Sequence, residues 1–243
     1  MEPRSLKCAW MSPWFPRWHF YAPVLLVDTG DSFALVDTGL GLHDYMHPSS
    51  VVRFFSADFG VLRDPGLCAL RQLENLGIQP EAIQHIILSH LHFDHAGGLP
   101  DFPQAQVHVH RREYEAIRKP RSWIELAYDP QDIAHHPLWV LYDKPDSQWY
   151  GFDAIRLPFR QEIYLIPLFG HTRGHCGVAI KIGESSSSYK WLFQCADALP
   201  VDANFDLGPA WLHRLVLGQH VSHLKAFAAS HPEVRMLAGH ARS

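Results

Sequence analysis

The chain has 243 residues, of which 47% are hydrophobic and 19% are charged, and its formal net charge is -4. A chain of this length buries enough apolar surface to fold as one domain, and the composition excludes a disordered segment, a collagen-like fibre and a coiled coil. The negative charge argues against a nucleic-acid-binding surface. Histidine stands out, with 18 residues against 21 Lys plus Arg. Because histidine is the commonest metal ligand, this abundance points to metal binding.

The cysteines and the N-terminal residues indicate the compartment. Four cysteines lie at long, irregular spacings without a CxxC pair, which is typical of reduced thiols rather than of a disulfide framework. The N-terminal segment lacks the continuous apolar run of a signal peptide, and no apolar run reaches the ~18 residues that span a bilayer. We therefore expect a cytoplasmic protein with no membrane partner.

The first half of the chain predicts an aromatic arm followed by strands and helices. Residues 1–19 are rich in tryptophan and proline, which excludes a regular helix, and we expect this arm to lie across the body of the protein. A hairpin turn at 28–31 separates two predicted strands, 21–27 and 32–36. The spacing of apolar residues, and the glycine and proline residues that end such segments, predict further helices and strands. These are a helix over 66–76, strands over 85–88 and 106–109, and a short helix over 111–119.

In the second half, residues 120–150 mix proline, aspartate, histidine and aromatic residues without a clear period. This pattern predicts a loop-rich insertion in the domain formed by residues 20–243. The aromatic residues of the arm and of the insertion either line an acyl pocket or form core or a dimer interface. Strands are predicted at 152–155, 163–166, 178–182, 190–193 and 234–237, with a helix over 211–229. Two blocks of strands, each followed by helical segments, indicate sheets covered by helices in one domain.

The strongest chemical signal is the segment SHLHFDHAGG at residues 89–98, which places three histidines and an aspartate in the pattern HxHxDH. Residues two apart in an extended chain point to the same side, so His90 and His92 can bind one metal ion together. If the chain turns after His92, Asp94 and His95 face a second ion. The three small residues that follow allow close backbone approach. The competing interpretation is a histidine-rich surface loop.

These residues resemble the metallo-β-lactamase superfamily over about residues 20–240. The segment GHTRGH at 170–175 resembles the family's GHTxGH loop, whose first histidine, here His171, binds metal. Asp197 follows an apolar strand and resembles the family's bridging aspartate, and His240 resembles its last ligand. Asp37, in an Asp-Thr-Gly segment, resembles an early motif whose aspartate supports the site. The residues alone also allow other interpretations. His171 could be a histidine in a turn, Asp197 could cap a helix, and His240 could lie in a frayed terminus and bind no metal.

The resemblance implies an α/β fold, an αββα sandwich with a two-metal site at one edge. It implies that Asp37 supports the ligands without binding the metal. We expect His175 to have a supporting or structural role rather than to be a ligand, and Asp94 is a candidate catalytic proton carrier as well as a ligand. Nitrogen and oxygen ligands suit Zn²⁺, and also Mn, Fe, Co or Ni. Two such divalent cations share a hydroxide that serves as the nucleophile at neutral pH. The implied ligands are His90, His92 and His171 for the first ion, Asp94, His95 and His240 for the second, and Asp197 as the bridge.

Differences between this sequence and the motifs of individual subfamilies reduce the number of branches to which it could belong. Asp197 stands where some true β-lactamases of the family have a cysteine ligand, and His92 stands where the flavodiiron branch has glutamate. No basic arm of the RNA-processing members is visible, and we expect no helical extension of the glyoxalase II type after His240. The compact lactonase-type branch remains. Many of its members have a tyrosine shortly after the bridging aspartate, whereas Ala198 and Leu199 follow here.

We therefore expect a dinuclear metal-dependent hydrolase of the lactonase (carboxylic ester hydrolase) type, with zinc as the expected metal. Its substrate would be a small molecule, an N-acyl homoserine lactone or a related lactone or ester, which makes quorum quenching the expected role. A homodimer is one expected assembly. The alternatives are a mono-iron dioxygenase of the same fold, a thioester hydrolase and a non-catalytic metal-binding member.

Overall fold

The computed structural model describes residues 2–12, 19–182, 189–199 and 220–242. Two β-sheets form its centre. The strands of the first sheet are β1 (Arg4–Met11), β2 (Phe20–Asp28), β3 (Phe33–Val36), β4 (Ile83–Ile87), β5 (Gln106–His110), β6 (Leu138–Tyr142) and β13 (Ala241–Arg242). The strands of the second sheet are β7 (Ser147–Trp149), β8 (Phe152–Arg156), β9 (Ile163–Pro167), β10 (Cys176–Lys181), β11 (Trp191–Gln194) and β12 (Val234–Leu237).

Six α-helices accompany the sheets in the described part of the chain. They are α1 (Leu42–Met46), α2 (Ser50–Phe59), α3 (Ala69–Asn75), α4 (Phe93–Ala96), α5 (Arg111–Arg118) and α6 (Val221–Ser230).

Strand order explains why several loops meet at one edge. The first sheet has the order β1-β2-β3-β4-β5-β6, with β13 also paired to β2, and β3 to β6 run parallel. The second sheet has the order β12-β11-β10-β9-β8-β7 and is antiparallel except for the parallel pair β11 and β12. Parallel strands end at the same edge of a sheet. The segments that follow β3, β4 and β5 therefore lie together, as do those that follow β11 and β12.

Three apolar layers hold the sheets and helices together. Between the sheets, Val36 and Ile87 of the first sheet pack with Leu165 and Val178 of the second. The outer face of the first sheet packs against α3 and α5, and the outer face of the second packs against α6. Burial of these side chains, at roughly 25 cal/mol per Å² of apolar area, is the main stabilising force. The molecule is thus the αββα sandwich that the resemblance implied.

Most of the predicted central elements are confirmed, and two predictions need correction. Residues 4–11 of the predicted arm form β1, which pairs antiparallel with β2 at the sheet edge. The segment 120–150 is not only loops, since it contributes β6, which pairs parallel with β5, and β7. Alternation is weak in both segments, and it is pairing with a neighbour that makes them strands. Of the helix predicted over 211–229, residues 211–219 lie outside the described residues, as do arm residues 13–18.

Two further properties concern the helices and the cysteines. Among the described residues, no helix is both long and apolar enough to cross a membrane. All four cysteines are buried and free. Cys195, which lies close to Asp197 in sequence, packs in the apolar layer under α6, as a small apolar residue does.

Candidate metal centre

The HxHxDH segment follows β4, and its backbone has the predicted shape. The chain is still extended at His92, with φ -68° and ψ 149°, and α4 begins at the next residue. His90 and His92 therefore lie before the turn, whereas Asp94 and His95 lie within the helix. The expectation of close backbone approach is also met, because a Cβ on Gly97 would overlap a neighbouring backbone oxygen.

The three remaining predicted ligands come from the second half of the chain. His171 lies in the loop between β9 and β10, Asp197 in a 3₁₀ turn directly after β11, and His240 between β12 and β13. Gly239 is required for this packing, since a Cβ there would overlap Asp197 Oδ1. The structure thus brings all seven predicted ligand side chains to one edge of the sandwich.

The seven side chains form two groups. In each group, one candidate ligand atom per residue lies within 4.8 Å of the corresponding atom of every other member. This separation is compatible with a common cation, because two ligands on opposite sides of an ion with bonds of about 2.0–2.2 Å are about 4–4.4 Å apart. The first group is His90, His92, His171 and Asp197, and the second is Asp94, His95 and His240.

The carboxylate of Asp197 faces both groups. Its Oδ2 lies 3.3 Å from His171 Nε2 and 3.9 Å from His90 Nε2. Its Oδ1 lies 3.4 Å from His95 Nε2 and 3.5 Å from His240 Nε2. One oxygen directed to each group is the arrangement that a carboxylate needs to bridge two cations.

The electrostatics of the pocket shift the pKa values of its ligands in different directions. Burial holds the pKa of His90 and of His92 well below the ordinary value, so both imidazoles are neutral, which is the form that binds a metal. Burial also acts to lower the pKa of His95, but the carboxylates of Asp197 and Asp94 outweigh it and raise that pKa. Conversely, burial acts to raise the pKa of Asp197, and the surrounding histidines outweigh it and lower that pKa. The carboxylate of Asp197 is thus ionised.

Asp37 connects the two groups from behind. Its Oδ2 lies 2.9 Å from His95 Nδ1 and accepts a hydrogen bond from Ser89 Oγ at 2.8 Å. Ser89 Oγ in turn lies 3.0 Å from His90 Nδ1. Carboxylates behind metal-binding histidines fix the ring orientation and leave Nε2 directed at the ion. Asp37 thus lies behind both groups, and its role in supporting the ligands stays a prediction.

His175 also lies behind the site. Its Nε2 accepts the backbone N–H of Asp197 at 3.1 Å. Burial lowers the pKa of His175 to about 3, so the ring is neutral and can accept this bond. His175 therefore contacts the backbone of Asp197, and it is absent from both groups of candidate ligands.

Glu113 is a structural residue of the site that the sequence did not reveal. It lies in α5, is fully buried and accepts four hydrogen bonds from the two ligand-bearing loops and from Tyr128. Oε1 accepts from Leu91 N at 3.0 Å and Tyr128 Oη at 2.9 Å, and Oε2 accepts from Thr172 Oγ1 at 2.7 Å and Gly174 N at 3.0 Å. Glutamate at a helix position carries no local signal of such a role.

The residues present fit a pair of transition-metal ions. Nε2 of His90 and Nε2 of His92 are buried and have no hydrogen-bond partner among the described residues. Buried polar atoms are rarely left without a partner, and an imidazole nitrogen directed at other ligand atoms is accounted for by a metal ion. The set of histidine and aspartate ligands suits zinc and its first-row neighbours.

Comparison with known proteins agrees with this geometry. The sequence matches the metallo-beta-lactamase superfamily over residues 18–184. A probable metallo-hydrolase of Mycobacterium tuberculosis, Rv2300c, is 38% identical over 181 residues, which cover 72% of this chain and 56% of that protein. The N-acyl homoserine lactonase AttM of Azorhizobium caulinodans is 30% identical over 131 residues, 51% of this chain and 46% of that protein. The matches thus span only about half the length of these curated relatives.

Solved structures share the fold. An N-acyl homoserine lactone hydrolase with N-hexanoyl-L-homoserine bound at its catalytic metal centre superposes with a TM-score of 0.66, covering 99% of this chain and 94% of that one, at 20% identity. A probable metal-dependent hydrolase of Staphylococcus aureus gives a TM-score of 0.66 at 16% identity, covering 99% and 89%. At these identities the likeness concerns the fold alone. With the match over residues 18–184, the chain belongs to the metallo-β-lactamase superfamily.

Proposed function

We propose that this protein is a dinuclear metal-dependent hydrolase that opens a lactone or cleaves a carboxylic ester, with an N-acyl homoserine lactone as the preferred class. The observation that carries the proposal is the position of Asp197, with one carboxylate oxygen toward His171 and the other toward His95. A mononuclear enzyme has no need of a second group of ligands. We propose zinc as the metal and the cytoplasm as the location.

The side chains of the chain have distinct roles in this proposal. His90, His92 and His171 would hold the first ion, and Asp94, His95 and His240 the second. Bound divalent cations lower the pKa of a coordinated water from 15.7 to near 7, which supplies a nucleophile at neutral pH. The fixed, buried imidazoles keep the metal site organised before the substrate arrives, so little reorganisation is needed in the reaction.

Asp94 would carry the proton. Its Oδ2 lies 3.5 Å from His240 Nε2 and 3.8 Å from His95 Nε2, so it borders the second group. Its side chain is 10% exposed, so a small part of the carboxylate remains accessible. A carboxylate so placed can accept a proton from the attacking water and return it to the leaving oxygen, which in a lactone is the ring oxygen.

The proposal that the substrate is a lactone is supported by the relatives of this protein. N-acyl homoserine lactonases occur both among the sequence relatives and among the solved structures of the same fold. This chain lacks the tyrosine that many lactonases carry after the bridging aspartate, since Ala198 and Leu199 occupy those positions. Contacts to the substrate carbonyl must therefore come from other groups, which makes the substrate range the central question.

A panel of substrates tests the proposal. Protein reconstituted with zinc, manganese or cobalt is given N-acyl homoserine lactones of different chain length, simple lactones, aryl esters and thioesters, and acid release is followed with a pH indicator. We expect acid release from the lactones, at one equivalent per ring opened. Preference for thioesters, or oxygen consumption by protein with one iron per chain, would support the alternatives instead.

Two variants make the panel decisive. His92→Ala removes a buried ligand of the first group, so bound metal and acid release should fall together. His43→Ala is the matched control, because His43 is an exposed histidine of α1 and lies outside both groups. The proposal is overturned if protein with two metal ions per chain releases no acid from any lactone or ester, or if His92→Ala keeps full turnover.

A further inference from the structure

A third group of candidate metal ligands lies apart from the seven residues of the metal centre. It consists of Asp44 in α1 and of Asp129 and Asp132 in the segment 120–150, and we call it the acidic cluster. One carboxylate oxygen of each residue lies within 4.8 Å of those of the other two, and all three residues are buried. Three buried acids at this separation need an explanation, because a buried charge is costly unless it is compensated.

The hydrogen bonds of the acidic cluster leave one carboxylate unaccounted for. Asp44 Oδ2 accepts Gly41 N at 2.9 Å. Asp129 accepts Gln131 N at 3.0 Å and the hydroxyl of Ser49. By contrast, Asp132 Oδ2 is buried without a hydrogen-bond partner among the described residues, although Asp132 is only 2% exposed. An unpartnered, buried oxygen in a group of three neighbouring carboxylates is the kind of group that a cation satisfies.

The charged groups that act on Asp44 and Asp132 are carboxylates. The groups that act on Asp132 are the carboxylates of Asp44, Asp129 and Asp94, and those that act on Asp44 are Asp129 and Asp101. No lysine, arginine or histidine in the described part of the chain forms an ion pair with the three acids. Burial first, and these like charges next, raise the pKa of both Asp44 and Asp132. The cluster therefore holds either bound protons or a cation.

We propose that the acidic cluster is a binding site for a hard divalent cation, calcium in the first place, that joins α1 to the turn at residues 130–133. The donors are oxygens only, which hard cations such as Ca²⁺ and Mg²⁺ prefer. The carboxylate oxygens lie within 4.8 Å of one another, which admits either ion. Three buried carboxylates favour calcium, because magnesium gives up its water ligands reluctantly and is usually held by only one or two carboxylates.

The position of the site gives the cation a structural role. Gly97, directly after α4, packs on Asp44 so closely that a Cβ there would overlap Asp44 Oδ2. Asp129 meets Ser49, whose side chain caps α2 by accepting Val52 N at 3.0 Å. A cation bound here would therefore hold the segment 120–150 against α1 and α2, beside the helix that carries Asp94.

Calcium binding can be measured independently of hydrolysis. Protein with its transition metals in place is dialysed against calcium-free buffer and then against about 1 mM CaCl₂ or MgCl₂, and the bound ion is counted by mass spectrometry. We expect one calcium per chain and less magnesium. The midpoint of thermal unfolding should rise by about 5–10 °C if the dissociation constant is about 10 µM.

Variants separate a cation from a shared proton. Asp132→Asn should abolish the bound calcium and the rise in midpoint. Asp101→Asn, which alters a nearby carboxylate that accepts Leu42 N outside the cluster, should keep both. The proposal is overturned if the unaltered protein binds neither calcium nor magnesium. An Asp132→Asn variant that is then as stable as the unaltered protein, or more stable, would identify a proton-sharing cluster. The proposal is equally overturned if calcium binds and stabilises Asp132→Asn as it does the unaltered protein.

Discussion

Replacement of Glu113 by glutamine tests whether a buried carboxylate organises the metal centre. In the unaltered protein, each oxygen of Glu113 accepts one hydroxyl and one backbone N–H. In Glu113→Gln, the new NH₂ group must face one of these pairs. The hydroxyl of Tyr128 or Thr172 can rotate and become an acceptor, but the N–H of Leu91 or Gly174 cannot. One buried N–H group is therefore left without a partner.

The expected loss of stability follows from the single backbone N–H group that is left without a partner. One orphaned buried donor costs about 1–3 kcal/mol of folding free energy, which for a chain of this size lowers the midpoint of thermal unfolding by about 2–12 °C. Because Glu113 joins the loop of His90 to the loop of His171, we also expect metal affinity to fall by about 10–100-fold. Calorimetry of the metal-loaded protein gives the first quantity, and competition with a chromogenic chelator gives the second.

A second glutamate of the same helix provides the control. Glu115→Gln alters an exposed glutamate of the same helix and should change neither quantity. Burial raises the pKa of Glu113, while its four hydrogen bonds oppose the rise. If the effect of burial on the pKa outweighs that of the hydrogen bonds, the Glu113 side chain is protonated, and glutamine then closely resembles the neutral carboxylic acid. An unfolding midpoint and a metal affinity both equal to those of the unaltered protein would then show that the carboxylate reasoning is wrong.

Three further predictions concern the same edge of the sandwich. In Asp37→Asn the ring of His95 loses its carboxylate partner, so affinity for the second metal should fall by about 10–100-fold while the first metal is retained, as counted in a metal titration. In Gly239→Ala the new methyl group would displace Asp197, so metal content measured after dialysis should fall, and full occupancy would argue against the close packing. The folded state raises the pKa of Asp44 to about 7 from 3.8 and so binds its proton more tightly than the unfolded chain. Without calcium, the contribution of Asp44 to the free energy of unfolding should therefore fall as pH rises from about 4 to about 7. Added calcium should oppose this fall, as measured by denaturant titrations at several pH values. A pH dependence that calcium leaves unchanged would count against the cation site.

Local sequence was sufficient for elements whose signal lies within a few residues. The hairpin of β2 and β3 was predictable because a turn-forming tetrapeptide separates two apolar runs, and the structure confirms it. The His90–His95 segment was informative because its spacing puts His90 and His92 on the same side of an extended chain, whereas the turn after His92 was a condition that the structure meets. The segments that became β1 and β6 carry no such pattern, since edge strands are defined by the neighbour with which they pair.

What the sequence by itself determined is the family and the set of candidate ligands, because these depend on short motifs in a set order. Only the tertiary structure decided which distant groups meet. Glu113 bonds to Leu91 across 22 positions and to Gly174 across 61, and the acidic cluster joins Asp44 to a turn more than eighty residues later. No periodicity records such contacts, because they arise when parallel strands end at one edge and bring together loops that are far apart in the chain.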